Sequence, residues 1–93
     1  MTDVVITPVE PGRFRAEVTA GHLTTSHRVT VPDGLLRDLG VPGAEAETVV
    51  RETMRFLLER EPATSILPEF SLEDVPSYFP DFYEKLRLRL SSA

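Results

Sequence analysis

The stretch AEAETVVRETMRFLLERE at residues 44–61 decides the fold of this 93-residue chain. Its apolar side chains recur at the i, i+3, i+4, i+7 spacing, which gathers them on one stripe of an α-helix. This stripe comprises Ala46, Val49, Val50, Thr53, Met54, Leu57 and Leu58. Opposite charges one turn apart, such as Glu47 and Arg51, support the helix on its other side. We therefore predict one long amphipathic helix that ends before Pro62, since the residue before a proline avoids the helical conformation.

The segment before this helix predicts three β-strands. The strands are expected over Val4–Val9, Arg13–Ala20 and Leu23–Val31. The first run is β-branched and contains Pro8, which lacks a backbone donor and so suits an edge strand. The other two alternate apolar and polar residues, as strands with one buried face do. Because the loops at Pro11-Gly12 and Gly21-His22 are short, we predict a three-stranded antiparallel meander over residues 1–31 with one solvent-exposed face.

Polar side chains of this meander give the first candidate contact residues. Its exposed face carries Arg13, Arg15 and Arg28, which could contact phosphate or an acidic partner. Pairing with Glu17 together with solvation is the favoured interpretation of the same three arginines. His27 has the parity of the apolar residues, so we interpret it as a packed side chain rather than as a metal ligand or a catalytic base.

Residues 32–61 form the predicted helical part of the chain. A short helix is expected at Pro32–Gly40, because proline suits the first turn of a helix and glycine suits a C-terminal stop. Leu35, Leu36 and Leu39 keep helical spacing within it. The long helix then follows after a brief turn.

Residues 62–93 form a tail punctuated by prolines. Ser71 and Asp74 have the spacing of a capping box, and Pro80 can open a last short helix. The aromatic residues of the tail are concentrated at Tyr78, Phe79, Phe82 and Tyr83. We favour the interpretation that this aromatic patch folds back over the sheet or the long helix. The alternative hypothesis makes these four residues a partner-binding site for a second copy or another protein, because aromatic anchors are enriched at interfaces.

The composition bounds the class of protein. Hydrophobic content of 41% and charged content of 27% are ordinary for a globular chain, and the length suits a single small domain over residues 1–93. The net charge is −5, and since residues 1–31 sum to zero, the whole deficit lies in residues 32–93. This balance argues against nucleic acid as the main partner. The chain has no cysteine and no apolar run of membrane-spanning length, so we expect a cytoplasmic protein without a membrane contact.

The order strand, short helix, turn and long helix resembles the ribbon-helix-helix module of small bacterial repressors and antitoxins. The residues that carry this resemblance are SHRVTVP at 26–32, Leu35-Leu36 and the run from Ala46 to Leu58. It implies a strand that pairs with its twofold mate and presents Thr24, Ser26, Arg28 and Thr30 to the major groove. Three strands followed by a helix also resemble the partner-binding half of HicB-type antitoxins. The combination of HRVTVP, VVRE, FLLEREP, SIL and YFP within residues 24–82 is similar to further small bacterial proteins and implies no activity.

The sequence therefore predicts an α+β fold: a three-stranded meander, a short helix, one long amphipathic helix and an aromatic C-terminal extension with a short helix. No GxSxG, P-loop, GxGxxG or HExxH motif occurs, so we expect no catalysis, no cofactor and no metal ion. The leading hypothesis is an antitoxin-like interaction or regulatory protein that acts through protein–protein contacts. We expect it to form a homodimer through the long helix, the sheet edge or the tail. A ribbon-helix-helix DNA-binding repressor is the alternative. A small-ligand binding protein or enzyme with a pocket between sheet and tail comes last.

Overall fold

The computed structural model of the protein describes residues 2–41 and 43–91, and these residues form an α+β structure. The elements in chain order are β1 (Thr2–Glu10), β2 (Arg13–Ala20), β3 (Leu23–Thr30), α1 (Leu35–Asp38), α2 (Ala46–Arg60), β4 (Glu69–Ser71) and α3 (Phe82–Ser91). Two short 3₁₀ segments, Ala63–Ser65 and Leu72–Ser77, flank β4. The predicted fold class is thereby confirmed. No helix within the described ranges is both long enough and apolar enough to cross a membrane.

The sheet has one strand more than the sequence predicted. Its order is β1-β2-β3-β4, and the first three strands form the predicted antiparallel meander. The fourth strand pairs in parallel with β3, with Phe70 opposite Val29. Parallel neighbours need a long connection, which here runs through α1 and α2. The meander is therefore part of a four-stranded mixed sheet, and β4 escaped prediction because three residues are too few to show a period.

The hairpin loops form where the glycines predicted them. Gly12 and Gly21 adopt φ angles of 77° and 64°, in the left-handed region that glycine enters without strain. The backbone N–H of Val31 donates to the Gly12 carbonyl oxygen at 2.8 Å, and a Cβ at Gly12 would lie 3.2 Å from the Val31 carbonyl oxygen. This loop is thus held against the end of β3.

The first helix is shorter than predicted but ends as expected. It covers Leu35–Asp38, inside the Pro32–Gly40 range that the sequence indicated. Gly40 has a φ angle of 79°, and the N–H of Val41 donates to the Leu36 carbonyl oxygen at 2.9 Å. A left-handed glycine with this bond is a Schellman stop, so Gly40 ends the helix.

One face of the sheet forms the floor of the core. Ile6, Ala16 and His27 are direct neighbours across β1, β2 and β3, and all three are buried. Helix α2 packs across β1 and β2 on this side. Leu23 has the same parity but is 61% exposed, because it lies in the last row of the sheet beside the Gly21-His22 turn. The opposite face, called the outer sheet face below, is exposed at Arg13, Arg15 and Arg28.

Helix α2 is covered on two sides rather than one. Its buried residues include the predicted stripe members Val49, Val50, Met54 and Leu57, and also Phe56, which the stripe left out. Phe56 is fully buried against the folded-back tail, with ring centroids 5.9 Å from Phe79 and 5.2 Å from Phe82. The favoured interpretation of the aromatic patch is therefore what the structure has: the tail packs on α2.

Ion pairs join α2 to the tail at both ends of α3. Arg89 on α3 donates a hydrogen bond to Glu59 and lies 3.9 Å from Glu52, both on α2. The hydrogen bond from Arg89 holds the pKa of the Glu59 carboxyl below its usual value. At the other end, Arg60 Nη2 donates to Asp81 Oδ2 at 2.7 Å, and its guanidinium carbon lies 3.7 Å from the centre of the Phe56 ring.

Candidate functional site

A groove lies between the C-terminal end of α2 and the tail, and we call it the tail groove. Its volume is about 360 Å³. It is lined by Leu57, Glu61, Ser65, Ile66, Leu67, Phe70, Asp74, Val75, Tyr78 and Phe79. Most of these side chains are apolar, with a few polar groups among them, which is the general composition of binding sites in proteins.

The walls of the groove follow from local rules of the sequence. Pro62 ends α2, and the next residues turn through the 3₁₀ segment Ala63–Ser65. On the far wall, the Asp74 carboxylate accepts a hydrogen bond from the Ser71 N–H at 3.2 Å, and the Ser71 hydroxyl accepts one from Glu73 N–H at 3.4 Å. The predicted capping box is thus confirmed, and it opens the 3₁₀ helix Leu72–Ser77 that leads to Tyr78.

His27 anchors the near wall to the sheet. Its Nδ1 donates to the Leu67 carbonyl oxygen at 2.8 Å, and its Nε2 lies 2.8 Å from the Thr25 hydroxyl oxygen. A carbonyl can only accept, so Nδ1 carries a proton, and in the neutral ring Nε2 accepts from Thr25. His27 is 2% exposed and does not line the groove. Its predicted role as a packed side chain is therefore confirmed, and it positions Leu67 from behind.

Two exposed apolar side chains converge on the tail groove. Tyr78 is 67% exposed and Leu67 is 49% exposed, and they line the same groove. Single exposed apolar residues are common on protein surfaces, whereas exposed apolar residues that share a concave site indicate a binding surface. Tyrosine is also enriched among the residues that dominate binding energy at interfaces.

The charges around the groove have one sign. Glu61 and Asp74 line it, and among the described residues its lining has no lysine, arginine or histidine. Along the sequence, the acidic residues from the end of α2 to the start of α3 are Glu61, Glu69, Glu73, Asp74, Asp81 and Glu84, and no lysine or arginine interrupts them. The nearby Arg60 is bound to Asp81. The groove therefore combines an apolar lining with two carboxylates, those of Glu61 and Asp74, that have no basic side chain beside them in the described lining.

The four aromatic residues predicted as a partner-binding site lie in different surroundings. Phe82 is fully buried, Phe79 and Tyr83 are half-buried, and Tyr78 is exposed. Burial raises the pKa of the Tyr83 hydroxyl, and Glu73, Asp38 and Asp74 raise it further. Phe79 and Tyr78 reach the tail groove, while Phe82 and Tyr83 pack in contact with each other at 5.4 Å between ring centroids.

The three predicted arginines share the outer sheet face. Arg15 is the direct cross-strand neighbour of Arg28, so two like charges lie side by side. Arg13 pairs with Glu10 at 3.1 Å and Arg15 with Glu17 at 3.8 Å, all with side chains about half exposed or more. Exposed pairs of this kind contribute little to stability. The arginines lie on the sheet face opposite α2, away from the lining of the tail groove.

Sequence reasoning found Tyr78 and Phe79 but missed the rest of the groove. Leu67, Glu61 and Asp74 come together only through the turn after α2 and through β4, which the periodicity did not predict. The available signal was electrostatic: the run of residues 61–84 without a basic residue. Within residues 2–41 and 43–91, no three histidine, aspartate or glutamate side chains come together as a metal site would require.

Comparison of the chain with protein-family models, with curated proteins and with solved structures gave no match in any of the three. The function is therefore inferred from the geometry and chemistry of the tail groove.

Proposed function

We propose that the protein is a non-catalytic interaction protein that binds a segment of a partner protein in the tail groove. The observation that carries this proposal is the exposure of Tyr78 and Leu67 in one apolar concavity. Covering their apolar surface with a partner lowers the free energy by roughly 25 cal/mol per Å² of surface removed from water. We further propose that the protein acts in the bacterial cytoplasm and has the regulatory, antitoxin-like role that the sequence led us to expect.

The groove chemistry supports binding rather than catalysis. Its hydroxyl groups belong to Ser65 and Tyr78, and its carboxylates to Glu61 and Asp74. A hydroxyl nucleophile needs a base within hydrogen-bond distance, and a histidine oriented by a third group is the usual arrangement. His27 lies behind the groove wall, outside the lining, and both of its ring nitrogens are already bonded to Thr25 and Leu67. It is therefore not positioned to act as that base.

The proposal includes a homodimer that forms through the free edge of β1. Helix α2 and the aromatic tail cover each other, so the long helix and the tail are less available to a second copy. β1 is the terminal strand of the sheet, and along its outer side it pairs with no strand of the described ranges. Free edges invite pairing with another chain. Pro8 and the bulge between Pro8 and Glu10 confine that pairing to Thr2–Thr7.

The DNA-binding alternative has less support. A ribbon-helix-helix protein would pair β3 with its twofold mate, whereas β3 is paired with β2 along its length and with β4 over Arg28–Thr30. Its outward arginine also shares the outer sheet face with carboxylates, including Glu17 and Glu69. The proposed protein-binding role is therefore better supported than the DNA-binding alternative.

Affinity capture with matched variants tests the proposed function. Tyr78→Ser removes an exposed aromatic residue from the groove, and Leu23→Ser removes a similarly exposed apolar residue from the Gly21-His22 end of the sheet. We expect one protein from the native host to be retained by the wild-type chain and by Leu23→Ser, and to be lost with Tyr78→Ser. A retained set that is the same for all three chains, or empty for all three, would refute the proposal.

A further inference from the structure

We infer that the partner segment is basic and carries a bulky apolar residue between its lysines or arginines. This inference rests on the proposed function, because it names the chemistry of what the tail groove binds. Two independent properties of the groove lead to it: the apolar character and size of the cavity, and the sign of the charge around it.

The cavity requires an apolar side chain. Leu57, Ile66, Phe70 and Val75 line its interior, and its volume of about 360 Å³ is at the small end of the roughly 300–1,000 Å³ that ligand sites occupy. A cavity of this size takes a few side chains of an incoming segment rather than the surface of a folded domain. A bulky apolar residue in that space would be removed from water against the existing lining.

The charge requires a cation. Glu61 and Asp74 line the groove without a basic neighbour in the described lining, and Arg60 is already bound to Asp81. Lysine and arginine can lay their aliphatic stems along an apolar wall while the charged end reaches a carboxylate. The exposed ring of Tyr78 adds a second attraction for the same group, since cations bind over aromatic faces.

The same charges disfavour other occupants. Nucleic acid is a polyanion and would be repelled by Glu61, Asp74 and the neighbouring Glu73. The groove of a second copy has the same negative sign, so two grooves that face each other would repel. A basic segment of a different protein is the occupant that satisfies both the apolar and the acidic part of the site.

Selection from a displayed library of random peptides tests the inference and does not require the natural partner to be identified. The probe is the library itself, exposed to the full wild-type chain. We expect the enriched peptides to share lysine or arginine on both sides of a leucine, isoleucine, phenylalanine or tryptophan. Their affinity should fall at least about tenfold with Tyr78→Ser, the loss typical of an interface anchor, and should weaken as salt rises.

A pair of charge variants isolates the role of the carboxylates. Glu61 and Glu45 lie at opposite ends of α2, and Glu45 is exposed and has no side-chain capping bond. We expect Glu61→Gln to weaken a selected basic peptide about 2- to 5-fold, the range for one partly exposed ion pair. Glu45→Gln makes the same change in net charge and should leave the affinity unaltered.

Each outcome of the selection decides between the inference and the function beneath it. Enriched peptides that are neutral or acidic but still depend on Tyr78 would overturn the basic partner and leave the groove as the binding site. Basic peptides without an apolar residue would overturn the apolar half of the inference. Peptides that bind Tyr78→Ser as tightly as the wild type, or no enriched peptides at all, would overturn the proposed function itself.

Discussion

His27 joins the sheet to the wall of the tail groove, so this single residue connects the core with the candidate site. Its ring is buried and holds the Leu67 carbonyl oxygen on one side and the Thr25 hydroxyl on the other. Buried polar groups without partners are costly, so a ring with both nitrogens satisfied can be accommodated in the core. The position of Leu67 in the groove therefore depends on a residue that does not itself line the groove.

We expect His27→Leu to destabilise the fold by about 1–3 kcal/mol, since the Thr25 and Leu67 groups lose their partner. Urea denaturation measures the change. The control is His22→Leu at an exposed turn position, where a surface substitution should stay within about 0.5 kcal/mol. Equal effects of the two substitutions would contradict the anchoring role of His27.

Tyr83 offers a spectroscopic test of the tail packing. Its pKa is raised above the usual 10.0, chiefly by burial and then by Glu73, Asp38 and Asp74. In the Tyr78→Phe variant, Tyr83 is the remaining tyrosine, so tyrosinate absorbance reports on it alone. A raised pKa favours the protonated form in the folded state. The stabilisation is complete below the usual pKa and is lost as the pH rises through the folded value.

We expect native Tyr78→Phe to ionise at a higher pH than the same variant in concentrated urea. The unfolded chain supplies the reference, because it exposes Tyr83 to water. Coincident titration curves for the folded and unfolded chains would mean that the folded tail does not bury the Tyr83 hydroxyl.

At the scale of elements, α2 shows where sequence patterns succeed and where they stop. The stripe of apolar residues predicted the helix and its sheet-facing side, because a helical period is a local property. It left out Phe56, which lies on a second side of the helix. That side is buried because the tail folds back over it. Pattern reasoning assumes one buried side per surface helix, and a helix between a sheet and a tail departs from that assumption.

We expect Phe56→Ala to cost about 3–5 kcal/mol, the range for removing a fully buried phenylalanine. Such a loss is a large part of the roughly 5–15 kcal/mol that stabilises a domain of this kind. Denaturation midpoints measure it, with Leu23→Ala at an exposed position as the control. A cost no greater than that of Leu23→Ala would show that the tail does not rest on Phe56.

Strand β4 and the groove were beyond prediction for a related reason. The three antiparallel strands followed from alternation and short glycine loops, which act between neighbours in sequence. The pairing of Phe70 with Val29 joins residues on either side of two helices, and three residues carry no periodic signal. The groove depends on that pairing, so most of its lining could be identified only from the structure. The exposed Tyr78 is the exception, because it was already among the predicted partner-binding residues.

At the scale of the whole molecule, contacts and charge separate three surfaces. The outer sheet face mixes arginines with glutamates, the tail groove is acidic and apolar, and the outer edge of β1 pairs with no strand of the described residues. The groove lining shares no residue with the other two surfaces. The proposed dimer contact along β1 would therefore leave the tail groove open to the proposed partner.

The proposed dimer is tested by the mass of the free protein in analytical ultracentrifugation. Val5 is 57% exposed in the part of β1 that is free to pair. Lysine on an edge strand opposes pairing with another chain, so we expect a dimer for the wild type and a monomer for Val5→Lys. A wild-type chain that stays monomeric at every concentration would refute the β1 contact.

The most direct test of the central claim is a map of amide chemical-shift changes when a library-selected peptide binds the wild-type chain. The account predicts that the largest changes fall on the lining of the tail groove, with Ile66, Leu67, Val75 and Tyr78 among them. Changes that cluster instead around Arg15 and Arg28 on the outer sheet face would contradict it.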